Sequence, residues 1–158
     1  MINEFSRTEM LIGSQGIMSL KAATVVVFGV GGVGSHAIEA LARCGVGRLV
    51  LVDNDTVSLT NVNRQSIAMH STIGRPKTQV MKEKITDLSP DTRVITSEQF
   101  VLPQNLDTLF ETIKSQMEPS DRVSYILDAI DTVTAKLALV SYAQENGIPI
   151  ISSMGTGN

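Results

Sequence analysis

Gly29-Val30-Gly31-Gly32-Val33-Gly34 puts four glycines directly behind the β-branched run Thr24 to Phe28. A glycine turn between a strand and a helix points backbone N–H groups and a helix N-terminus at one place, where phosphate oxygens can sit. Asp53 closes the next apolar run, Arg48 to Val52. From a strand end of that kind a carboxylate can accept both hydroxyls of an adenosine ribose. Glycines and acid together signal a nucleotide, and NAD and ATP both satisfy them. Taken singly, the glycines also fit close helix–strand packing and Asp53 a strand-end turn.

Two cations follow, Arg64 and Lys77. A carboxylate that attacks the α-phosphorus of a triphosphate approaches against strong repulsion until cations neutralise the oxygens. Arginine forks two phosphate oxygens and lysine offers a compact charge, so the pair suits a polyphosphate clamp. Asp131, just past a fourth apolar run, suits Mg²⁺, which takes oxygen ligands and substrate phosphates. The bland roles are a solvated Arg64, a helix-surface Lys77 and a helix-capping Asp131. Cys44 has no His or Lys beside it and reads as a buried small hydrophobe, not a nucleophile. His36 and His70 read as solvated or packing histidines.

These groups need a scaffold, and the patterning describes one. Ser6-Arg7-Thr8-Glu9 has capping-box spacing, predicting a short helix that carries Met10, Leu11 and Ile12 inward before Gly13. Strands are predicted at Thr24–Phe28, Arg48–Val52, Arg93–Thr96, Val123–Leu127 and Ile148–Ser152. Helices are predicted from the glycine turn to Gly45, over Thr78–Leu88 behind Pro76, over Leu106–Lys114, and over Thr134–Glu145 capped by Asn146-Gly147. The polar stretch Asn61–His70 is predicted irregular or one short helix. Such alternation implies right-handed parallel crossovers: one α/β domain over 1–158 with a Rossmann-like, doubly wound sheet and a ligand crevice at the carboxyl ends of its strands.

GVGGVG, DNDTVSLTNVNRQ, GRPK and DAID, in that order, resemble the adenylation domain of the ubiquitin-activating superfamily, which includes bacterial adenylyltransferases that charge sulfur-carrier proteins. The resemblance spans nearly the whole chain. It implies an ATP and Mg²⁺ site in which Gly29, Gly31, Gly32 and Gly34 cradle the nucleotide and Asp53 holds the ribose. Asp55, Asn61, Arg64, Gln65 and Lys77 would surround the phosphates and metal, and Asp131 would bind Mg²⁺. It also implies a homodimer in which Arg7 reaches the partner's site. Within the superfamily, DAIDTVTAKLALVSYA is similar to the tRNA threonylcarbamoyladenosine dehydratases, with Lys136 fitting their pattern. Thr132 stands where sulfur-carrier adenylyltransferases usually have asparagine. The implied substrate is a carboxylate on a modified adenosine of tRNA, activated as an acyl-adenylate. The alternatives are a sulfur-carrier adenylyltransferase, a non-catalytic nucleotide module and an NAD oxidoreductase.

Composition sets the outer bounds. With 158 residues, 42% of them hydrophobic, the chain can bury one core. A net charge of -3 argues against a broad nucleic-acid footprint, so tRNA contact is expected to be local or to lie outside this stretch. One cysteine excludes an internal disulfide and a CxxC zinc site. Residues 1–10 carry no signal-peptide or membrane-span pattern, which predicts a cytoplasmic protein. Met154-Gly155-Thr156-Gly157-Asn158 reads as a turn with no closing helix after it, from which a missing C-terminal part of the fold is expected.

Overall fold

Strand β1, Thr24–Phe28, is buried along its whole length, which is why its sequence is continuous rather than alternating. In the computed structural model, which describes residues 3–154, it lies at the centre of a five-stranded sheet. Its neighbours are β2 (Arg48–Val52) and β4 (Tyr125–Asp128), with β3 (Arg93–Ser97) and β5 (Ile150–Ser152) outermost. The order is β3-β2-β1-β4-β5 and every pairing is parallel. The winding direction reverses between β1 and β4, the place where such sheets open a crevice. The expected doubly wound Rossmann-like sheet is therefore the one observed.

Side chains of β1 alternate between two cores. Val25 and Val27, with Leu49 and Leu51, pack under α2 (Gly32–Arg43) and α3 (Lys77–Leu88), against Ile38, Met81 and Ile85. Val26 and Phe28, with Val50 and Ile126, pack under α4 (Leu106–Ser115) and α5 (Val133–Glu145), against Leu109, Phe110 and Leu139. Phe110 stacks on Tyr142 at 4.1 Å and tilts against Phe28 at 5.7 Å. Each such buried side chain contributes roughly 1.5–3 kcal/mol. Burial in this stack, ahead of the Asp107 and Glu111 charges, raises the Tyr142 hydroxyl above its ordinary value.

The N-terminal helix departs from expectation. Helix α1 runs Ser6–Ala22 and is broken inside by Gly13 at φ 73°. Met10 and Leu11 are 85% and 86% exposed, and no α1 residue is buried. Three consecutive residues sweep about 200° of a helix, so Met10, Leu11 and Ile12 cannot share one inward face. The capping box does not form either: Phe5 precedes the first turn, and Ser6 Oγ accepts the Asn3 N–H at 2.9 Å. Phe5 supplies the anchor, seated on Gly45, where a Cβ would lie 3.0 Å from its ring.

Smaller differences follow from local chemistry. The strands β4 and β5 each begin two residues later than the sequence suggests; Pro149 precedes β5 and its carbonyl accepts the Ile126 N–H. The stretch 59–72 holds two short 3₁₀ turns, Leu59–Asn61 and His70–Thr72, and a third lies at Pro103–Asn105. Cys44 is exposed, not buried, because it ends α2 where Gly45 turns the chain at φ 91°. His36 and His70 are exposed, as expected. No described helix is long and apolar enough to cross a membrane. Beyond Met154, the turn expected over 154–158 lies outside the described residues.

Helices α2 and α3 are cross-linked at the surface through Glu39. Its carboxylate meets Lys84 at 2.6 Å and Arg43 at 2.8 Å, and Lys84 also donates to the Ser66 carbonyl at 3.2 Å. The hydrogen bond from Lys84, then that from Arg43, holds the Glu39 carboxyl below its ordinary value. Glu39→Gln is expected to cost about 0.5–1 kcal/mol at neutral pH, the size of a partly exposed ion-pair cluster. A depressed carboxyl contributes stability that is present above the unfolded value of 4.5 and lost as pH falls through the folded one. Urea unfolding curves of the two proteins should therefore separate at neutral pH and converge on the acid side of 4.5.

Candidate functional site

Every strand delivers a residue to one cavity of about 830 Å³ at the carboxyl edge of the sheet. The turn after β1 contributes Gly29, Gly31 and Gly32, and the end of β2 contributes Asp53 and Asp55. Asn61, Arg64, Gln65 and Lys77 form the next wall, and Asp131 after β4 faces them from the far side. The residues expected to hold the nucleotide, phosphates and metal thus meet here except Gly34 and Arg7, and Lys136 also lies outside the lining.

The glycine turn is built by close approach. Gly29 sits at φ 90°, and a Cβ there would meet the Ala129 carbonyl oxygen at 2.7 Å. Gly34 lies buried in the first turn of α2, where a Cβ would stand 1.8 Å from the Gly29 carbonyl oxygen. Gly34 thus lets α2 press on the turn, whereas a Cβ at Gly31 would meet only Gln65 Nε2 at 3.9 Å. One glycine serves packing and the other keeps the cavity open.

Asp53 both closes β2 and braces this turn. Its Oδ2 accepts the Val30 N–H at 2.7 Å and its Oδ1 the Asp55 N–H at 2.8 Å. Each oxygen keeps a lone pair for a further donor. The strand-end turn role and the ribose role are therefore compatible in one side chain.

Lys77 is not a helix-surface lysine. It begins α3, its side chain is 7% exposed, and its Nζ donates to Asp55 Oδ2 at 2.8 Å while Asp55 itself is 61% exposed. An ammonium has three donors, and among the described residues Asp55 takes one. Arg64 is exposed, its NH1 folded onto the Thr60 carbonyl and Asn63 Oδ1 at 3.0 and 2.9 Å. Its stem passes 3.5 Å from where a Gly32 Cβ would be, which aims the guanidinium along the cavity rim. Asn61 is buried and accepts the Ser58 N–H at 2.9 Å, so it shapes the loop that carries Arg64. Gln65 Oε1 is buried without a donor among the described residues. A buried acceptor at a cavity wall is costly unless a donor arrives from the cavity or from water.

Asp131 is exposed and lines the cavity. Among the described residues no cluster of three His, Cys, Asp or Glu could cage a metal. Asp55 and Asp131 instead offer single carboxylates to the same cavity, the sparse donor set that suits Mg²⁺ shared with phosphates. Arg7 is exposed on α1 and does not line the cavity. Sequence reasoning missed Phe100, half-exposed in the loop after β3, and Ser153 and Met154 after β5. All three follow strand ends, so the rule that crevices form at carboxyl ends could have found them. It also missed Asp128, fully buried, and placed Lys136 by family pattern without pairing it with that carboxylate.

A parallel doubly wound sheet with a glycine turn, a braced acid and flanking cations at its switch point defines a Rossmann-like nucleotide-binding domain. The chain belongs to the ThiF family, which it matches over residues 5–158. It is 45% identical over 158 residues to a tRNA threonylcarbamoyladenosine dehydratase of Bacillus subtilis, covering all of this chain and 59% of that protein. The Escherichia coli protein of the same name is 39% identical over 153 residues, covering 97% of this chain and 54% of its own length. Crystal structures of the Escherichia coli dehydratase in complex with ATP and with AMP superpose with TM-scores of 0.89 and 0.88 at 38% identity. They cover 98% of this chain and 60% and 59% of those chains. The chain therefore spans under two thirds of the length of these relatives.

The two kinds of glycine separate experimentally. Gly34→Ala is expected to lower unfolding free energy by about 3 kcal/mol, because backbone stands in the way of the new methyl. Gly31→Ala should change it by less than about 0.5 kcal/mol, as a substitution into open space. Chemical denaturation of both variants checks this, and equal losses would contradict the assignment.

Proposed function

We propose that this protein binds ATP with Mg²⁺ and uses it to dehydrate the threonylcarbamoyl group of threonylcarbamoyladenosine in tRNA. The observation that carries the reading is the buried Lys77, paired with an exposed Asp55 beside the glycine turn and Arg64. An NAD pyrophosphate can be held by the glycine turn and helix N-terminus without these cations, whereas attack on a triphosphate needs the neutralisation they supply. The dehydratase relatives, aligned over all or nearly all of this chain, supply the substrate class.

The steps balance. A carboxylate oxygen of the threonylcarbamoyl group attacks the α-phosphorus of ATP and pyrophosphate leaves. A nitrogen or oxygen within the same group then attacks the activated carbonyl carbon, closing a ring and releasing AMP. The carboxylate oxygen departs with AMP, so the net change in the substrate is loss of water. Asp53 would accept the ribose hydroxyls, and the N–H groups behind Gly29, Gly31 and Gly32 would meet phosphate oxygens. Arg64 and Lys77 would neutralise the α-phosphate as it gains charge, with Asn61 shaping the loop that carries Arg64 and Gln65 offering its buried amide oxygen to a donor from the ligand. Asp131 and Asp55 would hold Mg²⁺, which would neutralise the phosphates. Little further covalent help is needed once the groups are positioned.

Arg7 is proposed to complete the site of a second copy, making the working unit a homodimer. The tRNA contact is proposed to be local, through few residues of this stretch, and the protein to be cytoplasmic. A sulfur-carrier protein ending in a Gly-Gly carboxylate is the competing substrate.

Arg64→Ala is expected to reduce turnover about 10²-fold, the loss of one charge-assisted contact in the transition state, with the melting temperature unchanged because the side chain bonds only its own loop. ATP–pyrophosphate exchange by the purified protein should be stimulated by threonylcarbamoylated tRNA; stimulation only by a carrier protein would sink the dehydratase reading. Arg7→Ala and Lys77→Ala should each be inactive alone. Mixed in equal amounts they should regain about a quarter of wild-type activity, since half the dimers would carry one intact site. No recovery on mixing would count against action in trans.

A further inference from the structure

An ion pair with both partners buried lies behind the cavity wall opposite Lys77. Asp128, the last residue of β4, is 0% exposed, and Lys136, one turn into α5, is 5% exposed. Lys136 Nζ donates to Asp128 Oδ2 at 2.9 Å and to the Ser153 carbonyl at 2.7 Å. Ser152 Oγ donates to the same Asp128 oxygen, Ile130 N–H donates to Asp128 Oδ1 at 3.2 Å, and Ser153 N–H donates to the Asp128 carbonyl at 2.8 Å. One carboxylate and one ammonium therefore tie together three segments: the turn after β4, the start of α5 and the chain leaving β5.

Two of those segments carry the cavity's far wall. Ile130, Asp131 and Thr132 lie on the turn, and Ser153 and Met154 lie on the exit from β5. Apolar grip is weak there: β5 is three residues long, sits at the sheet edge, and leaves Ile151 56% exposed. A buried pair is an expensive way to hold a strand, because well-packed apolar residues of similar size are often as stable or more so. What an apolar substitute cannot supply is direction. The ammonium fixes where the Ser153 carbonyl points, and the carboxylate fixes the Ile130 N–H.

We infer that Lys136 is a positioning residue that, through Asp128, sets the Asp131 turn and the Ser153–Met154 rim relative to each other before any ligand binds. This deepens the adenylation reading and rests on it. Lys136 and Asp128 do not line the cavity, so they act through the wall rather than on the substrate. The glycine turn, Asp53, Arg64 and Lys77 receive no side-chain hydrogen bond from the pair. Loss of Lys136 therefore separates nucleotide affinity from turnover.

The test compares wild type, Lys136→Met and Lys136→Arg, with the complete chain present and at a temperature where each is folded. Lys136→Met is expected to bind AMP within about twofold of wild type while its kcat with threonylcarbamoylated tRNA falls at least about 30-fold, a loss of roughly 2 kcal/mol in the barrier. Lys136→Arg should regain at least about tenfold of that loss, since a guanidinium can still bridge a carboxylate and a carbonyl. Amide hydrogen exchange should quicken at Ile130 and Ser153 in the methionine variant and stay unchanged across 29–34. Unchanged turnover, a loss matched by weaker AMP binding, or unchanged exchange at Ser153 would overturn the inference. If wild type itself shows no ATP-dependent turnover, the adenylation reading fails, while the exchange data still decide whether Lys136 positions the two segments.

Discussion

Gly29 is the residue around which the rest of the structure is arranged. Its N–H donates to the Val52 carbonyl, and the next residue on the other side, Ala129, donates to the Phe28 carbonyl. β1 is thus the point where the chain's exits diverge toward both halves of the sheet. The gap between those exits is narrow enough that a side chain at Gly29 would strike the β4 exit, and one at Gly34 would strike Gly29 itself. Only a left-handed glycine with a second glycine behind it lets β1 stop, turn and start α2 within four residues. The cavity exists because that turn is tight.

Two buried lysines flank this turn, and their counterions differ in one decisive respect. Lys77 faces Asp55, whose side chain is 61% exposed, while Lys136 faces Asp128, which is 0% exposed. A partner open to solvent can release or share its cation at low cost when a more charged ligand arrives. A partner sealed from solvent cannot, because the uncompensated charge would be left in a medium that solvates it poorly. The same residue types therefore build one pair open to exchange with an incoming charge and one pair closed to it.

Much of this was legible in sequence, for identifiable reasons. The strands of a sheet covered on both faces read as apolar runs, so β1 and β2 were bounded to the residue. The glycine turn and Asp53 sit where a strand ends, and a strand end is visible when the next residue is polar or glycine. Lys77 was visible as a cation but not as a buried one, since burial depends on the antiparallel bridge between Thr56 and Pro76 that folds its loop inward. Asp128 and Lys136 were illegible as a pair because their meaning lies in a third segment, the end of β5 and the residue after it, where Ser152 meets Asp128 and Ser153 meets Lys136. Local pattern also misread α1: Met10 and Leu11 are apolar in type, yet the sheet below offers them no face.

The placement of α1 bears on how Arg7 could act. Phe5 rests on Gly45, and Gly45 to Gly47 lead from the end of α2 into the start of β2, at the amino edge of the sheet. The cavity opens at the carboxyl edge. Strands of five residues at about 3.3 Å each put roughly 17 Å of sheet between the two edges. Arg7 lies two residues from the Phe5 anchor, and an extended arginine reaches well short of that distance. Its exposed position, on a helix that also leaves Met10, Leu11 and Met18 exposed, suits contact with another molecule better than contact with its own site. A cation that completes the charge balance from a second copy would make catalysis depend on assembly, while the nucleotide cradle formed by the glycine turn, Asp53 and Lys77 would remain a property of the single chain.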